Sequence, residues 1–184
     1  KQRTMSKQCT LVALLWLSVL SSLSAQGSFT TTSGASVRIS GAAYLKLHNT
    51  QWHNDGALSA GAGAVEFSGN QPGSAYLAGF MPDVFKHLRI NRSAGTVVLL
   101  KNAVVTGNLD FSSGLFNLNG FNVTLAQPGG MLLGENETSR AFSTSTGELQ
   151  LVANLSAPTA ANPANLGAAL TSAANLGATV VRRG

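Results

Sequence analysis

The chain has 184 residues, 44% hydrophobic and only 10% charged, with 20 glycines, one cysteine and a formal charge of +5. Sparse charge with recurrent Val, Leu, Ile and Phe excludes a disordered polyelectrolyte, and one cysteine excludes a disulfide framework or a thiolate metal site. The basic residues are scattered, with Lys86, Arg89 and Arg92 as the one local cluster, so the stripe that a nucleic-acid partner requires is missing.

Residues 1–25 read as a secretory signal peptide. Basic Lys1, Arg3 and Lys7 precede an apolar run over 11–17 that resumes at Val19 and Leu20, and small residues fill 21–25. An apolar core of about 10 residues suits such a leader and falls short of the roughly 20 that span a bilayer as a helix. The expectation is export, with the export machinery as a partner, cleavage after Ala25 and no retained membrane span. Cys9 precedes the apolar core, so the mature chain is expected to have no thiol and must rely on packing and backbone hydrogen bonds. Without Lys1, Arg3 and Lys7, nine basic residues face seven acidic ones.

From Val37 onward the apolar residues fall in short alternating pairs: Val37 with Ile39, Leu45 with Leu47, Val65 with Phe67, Leu88 with Ile90, Val97 with Leu99, Leu109 with Phe111, Phe116 with Leu118, and Val123 with Leu125. Period-two alternation over so few residues predicts strands with one face buried. Between the pairs stand turn formers such as Ser40-Gly41, Asn54-Asp55-Gly56, Ser93-Ala94-Gly95, Ser113-Gly114 and Asn119-Gly120, where Gly and Asn supply positive φ at little cost. Between Leu88 and Leu125 the pairs recur at roughly nine or ten residues, a spacing open to a sandwich, a barrel or a solenoid. Short strands with tight Gly/Asn corners favour an all-β, short-strand β-solenoid over 26–130. Its expected core includes Val97, Leu99, Leu109, Phe111, Leu118, Val123 and Leu125.

After Pro128-Gly129-Gly130 the texture becomes rich in Ala and Asn, and Asn165-Leu166-Gly167-Ala168 returns as Asn175-Leu176-Gly177-Ala178. Residues 131–184 are therefore read as part of a second, incomplete β-sandwich-like module. Strands are expected near 149–152, 168–172 and 179–182, with at most one helical turn after Pro163.

Residues 63–69, 85–91, 107–111 and 118–125 resemble the coils of large surface proteins of Bacteroidetes-type bacteria, and the tail around Gly134-Glu135, Asn165-Leu166-Gly167 and 181–184 is similar to the segment that follows the solenoid there. The resemblance implies a right-handed β-helix-like fold and a C-terminal sorting domain read by the type IX secretion system. No such domain occurs within these residues. The resemblance brings no catalytic residues with it.

The stretch from His48 to Asp55 is the most polar part of the chain. Imidazole and carboxylate suit zinc or similar ions, but the spacing of His48 and His53 puts them on opposite faces of a regular strand, and no metal site is expected. Trp52 with Tyr44 and Tyr76 is a candidate aromatic platform for sugar rings. Tyr44, His48, Trp52, His53 and Asp55 are thus the candidate ligand contacts. Catalysis on polysaccharide would need paired carboxylates in register, and no motif orders the acids here, so no catalytic residues, no cofactor and no enzyme activity are expected. A Gly-x-Ser-x-Gly elbow and a phosphate-binding loop are both lacking. The expected function is an exported structural or adhesive scaffold, with surface glycans or other cell-surface proteins as partners. A carbohydrate-binding or polysaccharide-degrading protein, a lyase or glycoside hydrolase, is the alternative.

Overall fold

The computed structural model describes residues 26–184, and the expected signal peptide lies outside the described residues. The chain winds as a β-solenoid of about six turns. Most turns contribute three strand segments, so the strands fall into three ladders.

The first ladder stacks β3 (Tyr44–His48), β6 (Ala64–Gly69), the first half of β9 (His87–Leu99), the first half of β11 (Asn108–Asn117) and β13 (Met131–Leu133). The second stacks β1 (Gly27–Thr31), β4 (Thr50–Asn54), β7 (Ala75–Ala78), the second halves of β9 and β11, and β14 (Arg140–Phe142). The third runs through β8 (Asp83–Phe85), β10 (Ala103–Val105), β12 (Val123–Leu125) and β15 (Leu149–Ser156). The pair β2 (Ser36–Arg38) and β5 (Ala57–Ser59) extends it toward the N-terminus, with β5 beside β8. All these pairings are parallel. Parallel strands need a long return connection, and here each return is the remainder of a coil.

Stacking turns the local alternation into continuous apolar columns. Leu45, Val65, Leu88, Leu109 and Leu132 lie in register on the first ladder, followed by Leu47, Phe67, Ile90 and Phe111. On the second, Phe29, Trp52, Leu77 and Leu99 form one column. The expected core residues Val97, Leu99, Leu109, Phe111, Leu118, Val123 and Leu125 are all buried within a single hydrophobic cluster. Successive equivalents are roughly 20 to 25 residues apart, a normal solenoid repeat. The nine-to-ten-residue interval in the sequence is therefore a fraction of a coil rather than a coil.

Corners are set by backbone chemistry. Gly95 and Gly114 turn β9 and β11 from the first ladder to the second with φ of 72° and 93°. A Cβ on Gly95 would run into the Gly73 carbonyl, and one on Gly114 into the Arg92 carbonyl, so only glycine meets both the positive φ and the close approach of the preceding coil. Ahead of the third ladder, the side-chain carbonyl of Asn102 accepts from Asn122 N–H at 2.8 Å, and that of Asn122 accepts from Glu148 N–H at 3.0 Å. This asparagine stack satisfies corner amides that no strand pairs.

Parallel stacking runs through residue 131, where the second module was expected to start: Leu109 pairs with Leu132, Phe116 with Ala141 and Val123 with Leu149. The chain leaves this pattern after β15, which pairs antiparallel with β16 (Asn175–Arg183) from Leu149↔Arg183 to Ser156↔Asn175. Strands form at the expected 149–152 and 179–182. Residues 168–172 instead lie in a loop with a single bridge, Ala161↔Leu170, following a segment in which Ala157, Ala160, Ala164 and Asn165 all take positive φ. One 3-10 turn, Pro163–Asn165, follows Pro163. Asn165 donates to the Leu132 carbonyl at 3.2 Å and Leu166 is buried in the core cluster, so this loop packs on the last coil.

Candidate functional site

Inward alternation on the first ladder dictates what its outer face carries. With Leu45 and Leu47 inside, Tyr44, Lys46 and His48 point out, and each coil repeats that pattern. Lys46, Glu66, Arg89 and Asp110 occupy one register row. Their charges alternate: Lys46 Nζ is 3.2 Å from Glu66 Oε1, Arg89 Nη1 is 3.8 Å from Glu66 Oε2, and Arg89 Nε donates to Asp110 Oδ2 at 2.8 Å. Opposite charges on adjacent strands favour the register, and the row crosses four coils.

A depression of about 330 Å³ lies along this row, lined by Tyr44, His87, Arg89, Asn108 and Asp110 over a floor that includes Ala62 and Ala64. The small alanines create the space. Tyr44 is 58% exposed, and the Arg89 guanidinium sits 5.3 Å from its ring centroid, a cation–π contact. Burial opposes the Arg89 charge, but the hydrogen bond and charge of Asp110, with Tyr44 and Glu66, outweigh it and raise its pKa. Burial, helped by Lys86 and Arg89, pushes His87 below its ordinary value of 6.5. The Asn108 N–H donates to His87 Nδ1 at 2.9 Å, so the neutral ring carries its proton on Nε2. Gly107 allows this placement, since a Cβ there would meet His87 Cε1 at 2.7 Å. The face thus offers an aromatic ring, a cation, a fixed imidazole N–H and amide and carboxylate acceptors. These are the groups that stack on a sugar ring and hydrogen-bond its hydroxyls.

On the other side of the charge row, Lys46, His48, Ser68, Asn70, Asn91, Ser93 and Ser113 border a second, shallower depression of about 260 Å³. His48 lies here, with its Nδ1 3.4 Å from Ser68 Oγ.

The structure divides the five candidate contacts. Tyr44 and His48 share the first outer face. Trp52 does not belong with them: it is fully buried, stacked on Phe29 at 5.1 Å and tilted against Phe85 at 6.3 Å. Its alternation with Asn54 turns it inward, and Nε1 donates to Asp83 Oδ2 at 2.7 Å, so no ligand reaches it from outside. His53 and Asp55 lie past the Asn49 corner. His53 Nε2 is 2.9 Å from Asp55 Oδ2, and Asp55 Oδ1 accepts from Phe80 N–H at 2.9 Å. The His53 bond leads in holding the Asp55 carboxyl below its ordinary pKa, and the pair braces a turn. Among the described residues no three His, Cys, Asp or Glu side chains gather to hold a metal ion. Arg89, His87, Glu66 and Asp110 were missed as a group because their proximity depends on coil length. Their signal in the sequence was alternating charge at roughly 20-residue spacing.

The fold defines the class of the described chain: a β-solenoid, the stacked-coil architecture of β-helices. Among protein-family models, curated proteins and solved structures, none matches the chain. Among the described residues no helix is long and apolar enough to cross a membrane.

Proposed function

We propose that this chain is the rod of an exported surface protein of the Bacteroidetes type, serving as a structural or adhesive scaffold. One observation carries the reading: a constant apolar interior supports outer positions of unrelated chemistry, so that Tyr44, Ala64 and His87 follow one another in a single outward row. Such a rod gains length by repeating its core while its surface stays free to meet partners. Export is tested by mass spectrometry of secreted protein. An N-terminus at or near Gln26 is expected, and a Cys9-containing peptide in the mature material refutes the leader.

A second reading, carbohydrate binding, is favoured by the half-exposed Tyr44 ring beside Arg89, His87 and Asn108 in the first-ladder depression. Glu66 and Asp110 are both engaged by Arg89, an arrangement better suited to holding a ligand than to general acid–base work. A glycan array with the wild type and Tyr44→Ala separates the readings. A scaffold alone shows no selective binding, whereas a saccharide site shows binding that Tyr44→Ala reduces about tenfold or more, as loss of a stacking platform should.

A further inference from the structure

Three polar side chains point into the solenoid where neighbouring coils carry apolar or small residues. Asp83 is in register with Ala103, and through it with Val123. Asn54 ends the inward alternation that begins at Trp52, and Lys101 follows Val97 and Leu99 at the same period. All three are buried, with at most 5% of their surface exposed. Lysine and aspartate are rarely found so deep unless paired.

Together they form one closed hydrogen-bonded cage. Lys101 Nζ donates to Asp83 Oδ2 at 2.9 Å and to the Asn54 main-chain carbonyl at 3.0 Å. Asn54 Nδ2 donates to the other carboxylate oxygen, Asp83 Oδ1, at 2.5 Å. The Asn54 side-chain carbonyl accepts from Gly56 N–H at 3.1 Å. Trp52 Nε1 fixes the carboxylate, and the Trp52 and Phe85 rings wall the site. Gly79 leaves room for the amine, since a Cβ there would sit 2.9 Å from Nζ. An ion pair accounts for Lys101 and Asp83, and Asn54 adds a second donor to the same carboxylate while its own oxygen is held in an Asx turn by the Gly56 N–H.

We propose that Lys101 and Asn54 join in a self-formed isopeptide bond, with Asp83 as the proton carrier. The Lys101 ammonium passes a proton to Asp83, and the free amine attacks Asn54 Cγ. As the new N–C bond forms, negative charge develops on Oδ1, where the Gly56 N–H already points. The Nδ2–Cγ bond then breaks. Asp83 relays protons from Nζ to Nδ2, which departs as ammonium, and the carboxylate is restored. Ammonium and carboxamide give a secondary amide and ammonium, so atoms and charge balance without any co-reactant. Burial excludes competing water, and fixing the two groups in one cage removes the entropy cost of their meeting. Asn54, Asp83 and Lys101 come from three successive coils, so the bond staples the first of these to the third across the one between. The described residues contain no cysteine, and this bond supplies the covalent tie that a disulfide would give elsewhere.

Peptide mapping of the full-length protein by tandem mass spectrometry tests the bond. The expected result is one branched peptide joining the Asn54 and Lys101 segments, lighter than their sum by one ammonia. Recovery of both segments unlinked at their sequence masses overturns the proposal, as does a Lys101–Asp83 link formed with loss of water. The near-isosteric Asp83→Asn is expected to leave both segments unlinked while keeping the β-rich circular dichroism spectrum, and a linked peptide in that variant overturns the role of Asp83. The wild-type map decides the bond whatever the stability of the variant.

Discussion

The middle coils and the terminal β15–β16 hairpin share one alternating pattern and differ in what lies above and below it. In β9 the inward apolar residues Leu88, Ile90, Val97 and Leu99 are completely buried because a coil packs on each side. In β15 the same alternation starts with buried Leu149 and Leu151, then fades to the partly covered Ala153 and Leu155 as the strand leaves the last coil. Val152, Leu176 and Val180 are exposed along the hairpin. Burial in this protein therefore comes from the neighbouring coil, and the strand supplies only the direction of its side chains. The two regions end differently as well: the middle strands β9, β10, β11 and β12 are paired on both edges, whereas β16 is an edge strand.

Core truncation is the harshest way to break this contrast. Phe67→Ala should cost about 3–5 kcal/mol in denaturant unfolding, since the ring is wholly buried between coils, whereas Val180→Ala on the exposed hairpin should stay within roughly 0.5 kcal/mol. Comparable losses at both positions would mean that the hairpin is packed like a coil. Glycine replacement gives a finer test, because Gly114 and Gly177 both have positive φ, at 93° and 60°. Ala at Gly177 meets nothing within 4 Å and should cost about 1–2 kcal/mol for its left-handed backbone alone. Gly114→Ala adds a collision with the Arg92 carbonyl and should cost measurably more by the same unfolding assay. Equal costs would show that the corner relaxes freely.

Hydrogen exchange should rank the amides in the same order. Those of β9 and β11 are expected to open only with global unfolding, and those of 157–184 through smaller local openings. Uniform protection across both regions would make the hairpin as cooperative as the rod.

The smallest effect concerns pH. Because the folded pKa of His87 is depressed, the unfolded chain binds the proton first as pH falls, and stability declines with it. The contribution is complete above the ordinary value of 6.5 and is lost as pH drops from there through the lower folded pKa. His87→Gln should flatten that part of a melting-temperature profile, and an unchanged slope would exclude His87 as its source.

Local chemistry determined much of this protein by itself. Side-chain period in a strand is two, so the Leu, Val and Phe pairs announced short half-buried strands, and the Gly and Asn between them announced corners where positive φ is needed. The same rule made Tyr44 outward from its alternation with Leu45, and Lys101 inward from its alternation with Val97 and Leu99, although the second was masked by its charge. Only the tertiary structure decided coil length, and with it every pairing across coils. Lys46, Glu66, Arg89 and Asp110 become a ladder, and Asn54, Asp83 and Lys101 a cage, only once the register is known. The same register buried Trp52, because its stacking partner Phe29 and its column neighbour Leu77 belong to other coils. The physical reason is that register is fixed by which apolar column fills best along the whole stack, a collective property of all the coils that no short window of residues contains.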